Sequence, residues 1–154
     1  SGTDLLGVTR PLNVFQQAGT YYMWDSSKPM QNASLGKRAI LIFDANGLDR
    51  DQIVKGPAPV PPAYVSSAAP HSWNNPAAVS ASFNLSKTFD YFLERHGRYS
   101  FDGKSNGFFA IVNVRDYPNA SWHNDHKYML FGNTDRYAAA TDVVGHEFSH
   151  GVVW

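Results

Sequence analysis

The feature that most constrains this chain is a His-Glu-x-x-His pattern at residues 146–150, close to its end. In a helix, residues four apart lie about 40° apart around the axis and roughly 6 Å apart along it, so both imidazoles share one face. Two histidines spaced in this way, with a glutamate beside the first, are the arrangement that holds a zinc ion. The pattern therefore predicts a terminal helix at about residues 138–154 and a zinc site formed by His146 and His150.

The glutamate between the histidines, Glu147, fits a chemical role. Zinc lowers the pKa of a bound water, and a carboxylate beside the metal takes that water's proton as it attacks a carbonyl. The alternative is an amphipathic helix end whose histidines are merely buried or solvated. The apolar residues 138–140, with Val143 and Val144, suit a buried site helix and favour the metal site. Gly145 lowers helix propensity directly before the first ligand, and we expect close packing to be the reason.

A catalytic zinc ion takes three protein ligands and keeps one position for water, so one ligand remains to be found. The longer pattern His-Glu-x-x-His-x-x-Gly is excluded, because position 153 is Val153. His123 and His126 could form a local metal site of their own, although solvated loop histidines are the simpler interpretation. We expect the third ligand to lie on sequence outside these 154 residues. The candidates within the chain are His71, Glu94, His96, His123 and His126.

Length and charge narrow the class of protein. A chain of 154 residues is long enough for one domain with a real core, and we expect residues 1–154 to form a single domain. The formal net charge is zero, without a basic block, so we expect no nucleic-acid partner. No apolar run approaches the roughly 20 residues that cross a bilayer, so we expect no membrane partner. There is no cysteine, and hence no disulfide to indicate the compartment.

The rest of the chain predicts an α+β fold, with a largely antiparallel sheet, a long core helix and the terminal helix. The core helix is predicted at about residues 76–98, where apolar residues recur at helical spacing between Pro76 and Gly97. A turn at residues 45–47 favours a hairpin. Residues 56–76, rich in proline and alanine, are interpreted as an ordered surface loop rather than a linker. Strands are predicted at residues 19–24, 38–44, 107–114 and 127–131.

Three segments resemble the thermolysin-like neutral zinc metallopeptidases, in matching order and spacing. Residues 98–103, Arg-Tyr-Ser-Phe-Asp-Gly, resemble the segment after that family's first long helix. Residues 117–122, Tyr-Pro-Asn-Ala-Ser-Trp, resemble its edge-strand motif, and residues 142–152 resemble its active-site helix. The resemblance covers at least residues 76–154. It implies a zincin-like N-terminal subdomain, which is the N-terminal half of a catalytic unit whose C-terminal helical half is absent here.

The resemblance implies roles for the matched positions of the terminal helix. His146 and His150 match the family's first two zinc ligands, and Glu147 matches its general base. Asp142 matches a calcium ligand, which makes Ca²⁺ a second expected ion in the intact enzyme. The family's third zinc ligand is a glutamate in an Asn-Glu-x-x-x-Asp segment farther along. Its transition-state tyrosine and histidine lie farther still, and none of these can be matched.

The edge-strand motif implies a substrate-binding role for three residues. Asn119 and Ala120 match positions that hydrogen-bond the substrate backbone, and Trp122 matches the aromatic residue that closes the motif. An edge strand offers unpaired N–H and C=O groups to an extended peptide, whatever its side chains. From the residues alone a plain surface turn is the simpler interpretation, because Pro118-Asn119 is common turn chemistry. Residues 131–135 are shorter and less acidic than the family's glycine-rich turn, so we expect a remodelled loop.

The resemblance also implies a secreted endopeptidase acting on peptide or protein substrates, with the missing C-terminal lobe as its structural partner. We expect the chain alone to have little or no peptidase activity, because it lacks a zinc ligand and the groups that stabilise an oxyanion. Two other hypotheses stay open. One is a non-enzymatic peptide- or metal-binding module that retains the motif. The other is a zinc hydrolase acting on non-peptide substrates.

Overall fold

The computed structural model describes residues 1–30, 39–56, 61–104 and 106–153. These residues form the α+β fold that the sequence predicts. The helices are α1 (Arg50–Lys55), α2 (Pro76–His96) and α3 (Thr141–Val153), with a 3-10 helix at Tyr137–Ala139. The strands are β1 (Gly2–Thr3), β2 (Thr9–Arg10), β3 (Phe15–Gln17), β4 (Thr20–Tyr22), β5 (Trp24–Asp25), β6 (Ile40–Asp44), β7 (Ala63–Tyr64), β8 (Ser66–Ser67), β9 (Phe108–Val114), β10 (Ala120–His123) and β11 (Tyr128–Gly132).

The long core helix α2 begins and ends where its capping residues dictate. The Asn75 side chain accepts a hydrogen bond from the Ala78 amide, and Pro76 occupies the first turn. Gly97 ends the helix in the left-handed conformation, with φ of 60°, which glycine adopts at little cost. The helix therefore stops at His96, slightly before the predicted boundary. Its fully buried face includes Val79, Leu85 and Phe89.

The largest sheet has the order β10-β11-β9-β6-β5, with β7 paired to β6. β9 lies parallel to both of its neighbours, β6 and β11. Across the described sheets six strand pairs are antiparallel and two are parallel, so the predicted antiparallel character holds outside the centre of this sheet. α2 packs against β6 and β9. β10 forms one edge of the sheet.

The hairpin predicted at residues 45–47 is wrong. Asn46 and Gly47 do turn the chain, with φ of 54° and 81°, but α1 follows instead of an adjacent strand. The Asp49 side chain accepts from the Gln52 amide while the Gln52 side chain accepts from the Asp49 amide. This capping box is the sequence signal of a helix start. The next strand in the chain, β7, does pair with β6 in antiparallel fashion, but it begins only at Ala63, after α1.

The strand predicted at residues 19–24 is divided at Met23. The Met23 amide donates to the Val65 carbonyl, and the Met23 carbonyl accepts from the Ile42 amide. β4 on one side of this residue belongs to a small three-stranded sheet, whereas β5 on the other side belongs to the largest sheet. The division thus marks the passage of the chain from one sheet to the next.

The other strand predictions are confirmed as β6, β9 and β11, although Arg38 lies outside the described residues. The loop predicted at residues 56–76 contains the short strands β7 and β8, and its residues 57–60 lie outside the described part. The terminal helix is confirmed as α3, whereas the start of its predicted range forms the 3-10 helix, and Trp154 is not described. No helix in the described ranges is long and apolar enough to span a membrane.

Candidate metal centre

The side chains of His146, Glu147 and His150 converge on one point beside α3. Their potential ligand atoms all lie within 4.8 Å of one another. The Nε2 atoms of the two histidines are 3.1 Å apart, and the rings stand nearly perpendicular, with an interplanar angle of 88°. Both histidines are exposed, whereas Glu147 is buried, with 8% of its surface accessible. The geometry predicted from the helical spacing is therefore present.

The separation of the two imidazoles fits a single zinc ion. With Zn–N distances near 2.05 Å, two nitrogens 3.1 Å apart subtend an angle of about 100° at the ion, which is close to tetrahedral. Imidazole nitrogens and carboxylate oxygens are also among the groups that zinc binds in proteins. The same 3.1 Å also suits a hydrogen bond from one ring to the other.

Packing on both sides fixes the helix that carries these groups. Val144 and Phe148 are fully buried. The Phe148 ring lies 5.0 Å from the Phe92 ring of α2 and 5.3 Å from the Phe108 ring of β9, measured between centroids. The apolar side of α3 is thereby held between α2 and the sheet, and the histidines face outward.

The edge strand β10 lies beside this helix. It pairs only with β11 among the described strands, in the antiparallel register Ala120↔Phe131 to His123↔Tyr128. The Gly132 amide donates to the Asn119 carbonyl at 3.0 Å, so Asn119 faces β11. Because the polar groups of successive residues point to alternate sides of a strand, Ala120 and Trp122 direct theirs away from β11, toward the free edge. The edge strand that the resemblance implies is thus present from Ala120, in place of the plain surface turn.

The start of β10 depends on a residue to which sequence reasoning gave no role. A Cβ atom on Gly132 would lie 1.5 Å from the Tyr117 carbonyl oxygen and 3.2 Å from that of Asn119. Only glycine lets the segment before β10 pass this close to the end of β11. The Thr134 hydroxyl also donates to the Tyr117 carbonyl. The signal that the sequence offered was a glycine, Gly132, directly after Phe131 at the end of a predicted strand.

One open groove of about 700 Å³ joins His146, Glu147 and His150 to the edge strand. Asn119 lies at its rim, with an exposed side chain. Trp122 forms part of the wall and packs on α3, because its ring would be 2.6 Å from a Cβ atom at Gly151. The Trp122 Nε1 atom is buried without a hydrogen-bond partner in the described part of the chain. The lining residues are Asn119, Ala120, Ser121, Trp122, Asn124, Asp125, His146, Glu147 and His150.

The other face of β10 carries a separate polar network. The Tyr117 hydroxyl donates to Ser121 Oγ at 2.9 Å, and Ser121 Oγ lies 3.1 Å from His123 Nε2. The His123 ring stacks on Tyr128 with centroids 4.9 Å apart. Burial, together with the positive charge of Arg50, lowers the pKa of His123. A local metal site at His123 finds no support, since only His146, Glu147 and His150 form a group of three ligand side chains within the described ranges.

The remaining candidates lie elsewhere. His71 contacts the amino group of Ser1, and His96 packs against Tyr91 and Phe92 at the end of α2. Asp142 is exposed in the first turn of α3 and belongs to no metal-binding group of the described residues. Its predicted calcium role stays a prediction.

Comparisons with known proteins agree with this geometry. A sequence model of the thermolysin metallopeptidase catalytic domain matches residues 1–154. The neutral protease NprE of Bacillus pumilus is 34% identical over 160 residues, covering 99% of this chain and 48% of that protein. A bacillolysin of Bacillus subtilis subsp. amylosacchariticus is also 34% identical, covering 99% of this chain and 28% of that protein. The precursor of protealysin, a metalloproteinase from Serratia proteamaculans, matches in structure with a TM-score of 0.60 and 26% identity, covering 79% of this chain and 37% of that chain.

The chain therefore spans about half or less of the length of these relatives. The match to the family extends over every part of the chain, including the N-terminal residues 1–75 that carry no specific motif of their own. This full-length match and the converging His-Glu-His side chains place the chain in the thermolysin metallopeptidase family.

Proposed function

We propose that this chain is the N-terminal half of the catalytic unit of a zinc endopeptidase. The observation that carries the proposal is the convergence of His146, Glu147 and His150 within 4.8 Å, in a groove that also contains the free edge of β10. Membership of a metallopeptidase family supports peptide or protein substrates.

The edge strand provides the proposed grip on the substrate. Ala120 and Trp122 direct backbone N–H and C=O groups toward the groove, where an extended peptide can add to the sheet as a further strand. Asn119 contributes through its exposed side chain, because its carbonyl is already bonded to Gly132. Backbone hydrogen bonds hold a peptide independently of its side chains, which suits an endopeptidase of broad specificity.

The proposed chemistry assigns His146 and His150 to the metal and Glu147 to proton transfer. Zinc, when bound, supplies an activated water and polarises the carbonyl to be attacked. Glu147 accepts a proton from the attacking water and delivers it to the leaving nitrogen. The Glu147 carboxylate lies within 4.8 Å of the ligand atoms of both histidines, so it would stand beside a water held at the metal.

The described residues contain two imidazole ligands and no third one, so we propose that the missing C-terminal lobe supplies it. This chain alone is then inactive or nearly so. In the same intact enzyme we propose Asp142 as a calcium ligand, completed by carboxylates of that lobe. Calcium titration of the longer gene product, compared with its Asp142→Ala variant, tests this assignment through the shift in thermal unfolding.

The test of the function uses the longer gene product that contains this chain together with its downstream sequence. We expect casein hydrolysis that is lost with a zinc chelator and restored by added zinc. Glu147→Gln should lower the rate by at least about 10²-fold while bound zinc stays near one equivalent, because the change removes the base and leaves both histidines. Undiminished hydrolysis by Glu147→Gln would contradict the proposed role.

We also propose that the enzyme is exported. One relative, 25% identical, is the extracellular elastase of Staphylococcus epidermidis. Fractionation of the native host with antibody against this chain tests the proposal, and detection only inside cells would contradict it.

A further inference from the structure

Arg98 connects the end of α2 to the end of the metal-binding helix. It directly follows Gly97, and its guanidinium donates twice to the Phe101 carbonyl, from Nε at 3.2 Å and from Nη2 at 2.8 Å. The same Nη2 donates to the Val152 carbonyl in α3 at 3.0 Å, across 54 residues of sequence. A single side chain thus ties the loop after α2 to the last turn of α3.

The carbonyl that Arg98 binds lies two residues after the second histidine of the candidate metal site. Val152 and His150 fall within one turn of α3, the last turn that the structure describes, because a helix has 3.6 residues per turn. The order of this turn therefore determines where the His150 ring points, whereas His146 lies a full turn earlier.

A second contact acts on the same turn. The Trp122 ring packs directly on Gly151, and the Phe101 ring packs on Trp122 with centroids 5.3 Å apart. Phe101 therefore offers its carbonyl to Arg98 and its ring to Trp122. Together Arg98, Phe101 and Trp122, whose ring also lines the groove, contact the last turn of α3 at Gly151 and Val152.

We propose that Arg98 is a positioning residue for the metal centre, which holds the last turn of α3 so that His150 meets His146 around one ion. This inference rests on the proposed zinc site. It concerns a residue that touches neither metal nor substrate, and it acts through the backbone of α3.

The direction in which metal affinity changes when Arg98 is replaced distinguishes a positioning role from simple charge repulsion. A guanidinium close to the site repels a divalent cation, so removal of its charge alone would tighten metal binding. Loss of the hydrogen bond to Val152 frees the last turn and weakens metal binding. Supporting groups behind metal ligands typically change affinity by about 10–100-fold when they are lost, and we expect the lower end of this range.

The experiment compares Arg98→Gln, Arg98→Lys and the control Arg95→Gln in the longer gene product that contains this chain. Arg95 carries the same charge on the exposed last turn of α2, and its side chain makes no hydrogen bond or ion pair with the described residues. Cobalt titration followed by visible absorption gives both affinity and coordination geometry. We expect Arg98→Gln to weaken cobalt binding about tenfold and alter the spectrum at saturation. Arg98→Lys should be intermediate, and Arg95→Gln should stay within about twofold. Unchanged or tighter binding by Arg98→Gln would overturn the proposal.

Amide hydrogen exchange without metal provides an independent measurement. Arg98→Gln should increase exchange in residues 150–153 by about tenfold and leave the first turn of α3 unchanged. If the longer gene product binds no cobalt, the proposed zinc site fails, yet this comparison still decides whether Arg98 orders the last turn. Equal exchange in both proteins would overturn the positioning role. If Arg98→Gln does not fold, the same comparison with Arg98→Lys applies, because lysine offers one donor in place of the fork.

Discussion

Two glycines of α3 show how differently the same residue is used within one helix. A Cβ atom added at Gly145 would meet nothing within 4 Å, so the expected close packing at this position is wrong. A Cβ atom added at Gly151 would lie 2.6 Å from the Trp122 ring. Gly151 therefore permits the contact between α3 and the wall of the groove, while Gly145 only weakens the helix.

These surroundings predict opposite effects of the same substitution. Gly145→Ala should stabilise the chain by roughly 0.5–1 kcal/mol, because alanine restricts the unfolded chain and meets no neighbour. Gly151→Ala should destabilise it by about 1–3 kcal/mol, because the added methyl displaces the Trp122 ring. Urea unfolding of both variants, followed by circular dichroism, measures the two free energies. A loss of stability in Gly145→Ala would reveal a contact that the space around it does not show.

At the scale of elements, the edge strand depends on how closely two segments of chain cross. Gly132→Ala places a methyl group against the Tyr117 carbonyl, at a distance where the backbone must move. We expect a loss of about 2–4 kcal/mol in unfolding free energy, since the atoms in the way are backbone rather than a flexible side chain. Urea unfolding measures the loss, and Gly145→Ala serves as the matched control for the change of residue type. Unchanged stability would show that the strand starts differently in solution.

The outer face of β10 predicts a dependence on pH. Burial lowers the pKa of His123 below its ordinary value of 6.5. Between that lowered pKa and 6.5 the unfolded chain binds a proton that the folded chain does not, so stability decreases as pH falls through this window. Thermal unfolding from pH 7.5 to 5 should show the decrease, and His123→Gln should reduce it. His126→Gln, a change at an exposed neighbour on the same hairpin, is the control. An identical pH profile in His123→Gln would contradict the assignment.

Elements that are specified by neighbouring residues were predictable from the sequence. Asn75, Pro76 and Gly97 define the ends of α2 locally, and the prediction differs only at its last turn. The hairpin at residues 45–47 failed because the turn chemistry is common to hairpins and to helix starts. The capping box of Asp49 and Gln52 distinguishes the two. The parallel pairing of β6 with β9, by contrast, joins segments more than sixty residues apart. A pairing between segments so far apart in the chain produces no recognisable pattern in the sequence around either strand.

At the scale of the whole molecule, the candidate metal ligands could be predicted from the sequence, whereas the residues that support them from other segments could not. His146 and His150 are related by helical spacing alone, so their convergence followed from the sequence. The contribution of Gly132 and Arg98 arises only when distant segments meet, at Tyr117 and at Val152. Residues that support a site from elsewhere in the fold therefore require coordinates, whereas the ligands of one helix do not.

The last prediction concerns the metal affinity of the whole molecule. In the proposed enzyme, two imidazoles on α3 would hold zinc from one side, and a third ligand from the other lobe would close the site. The longer gene product should therefore bind zinc at least roughly a hundredfold more tightly than this chain, which corresponds to about 2.7 kcal/mol. Competition with a chromophoric chelator measures both affinities, and His146→Ala in each protein is the control for binding elsewhere. If the two affinities were equal, α3 and its surroundings alone would provide every ligand, and the proposed division of the site between two lobes would be wrong.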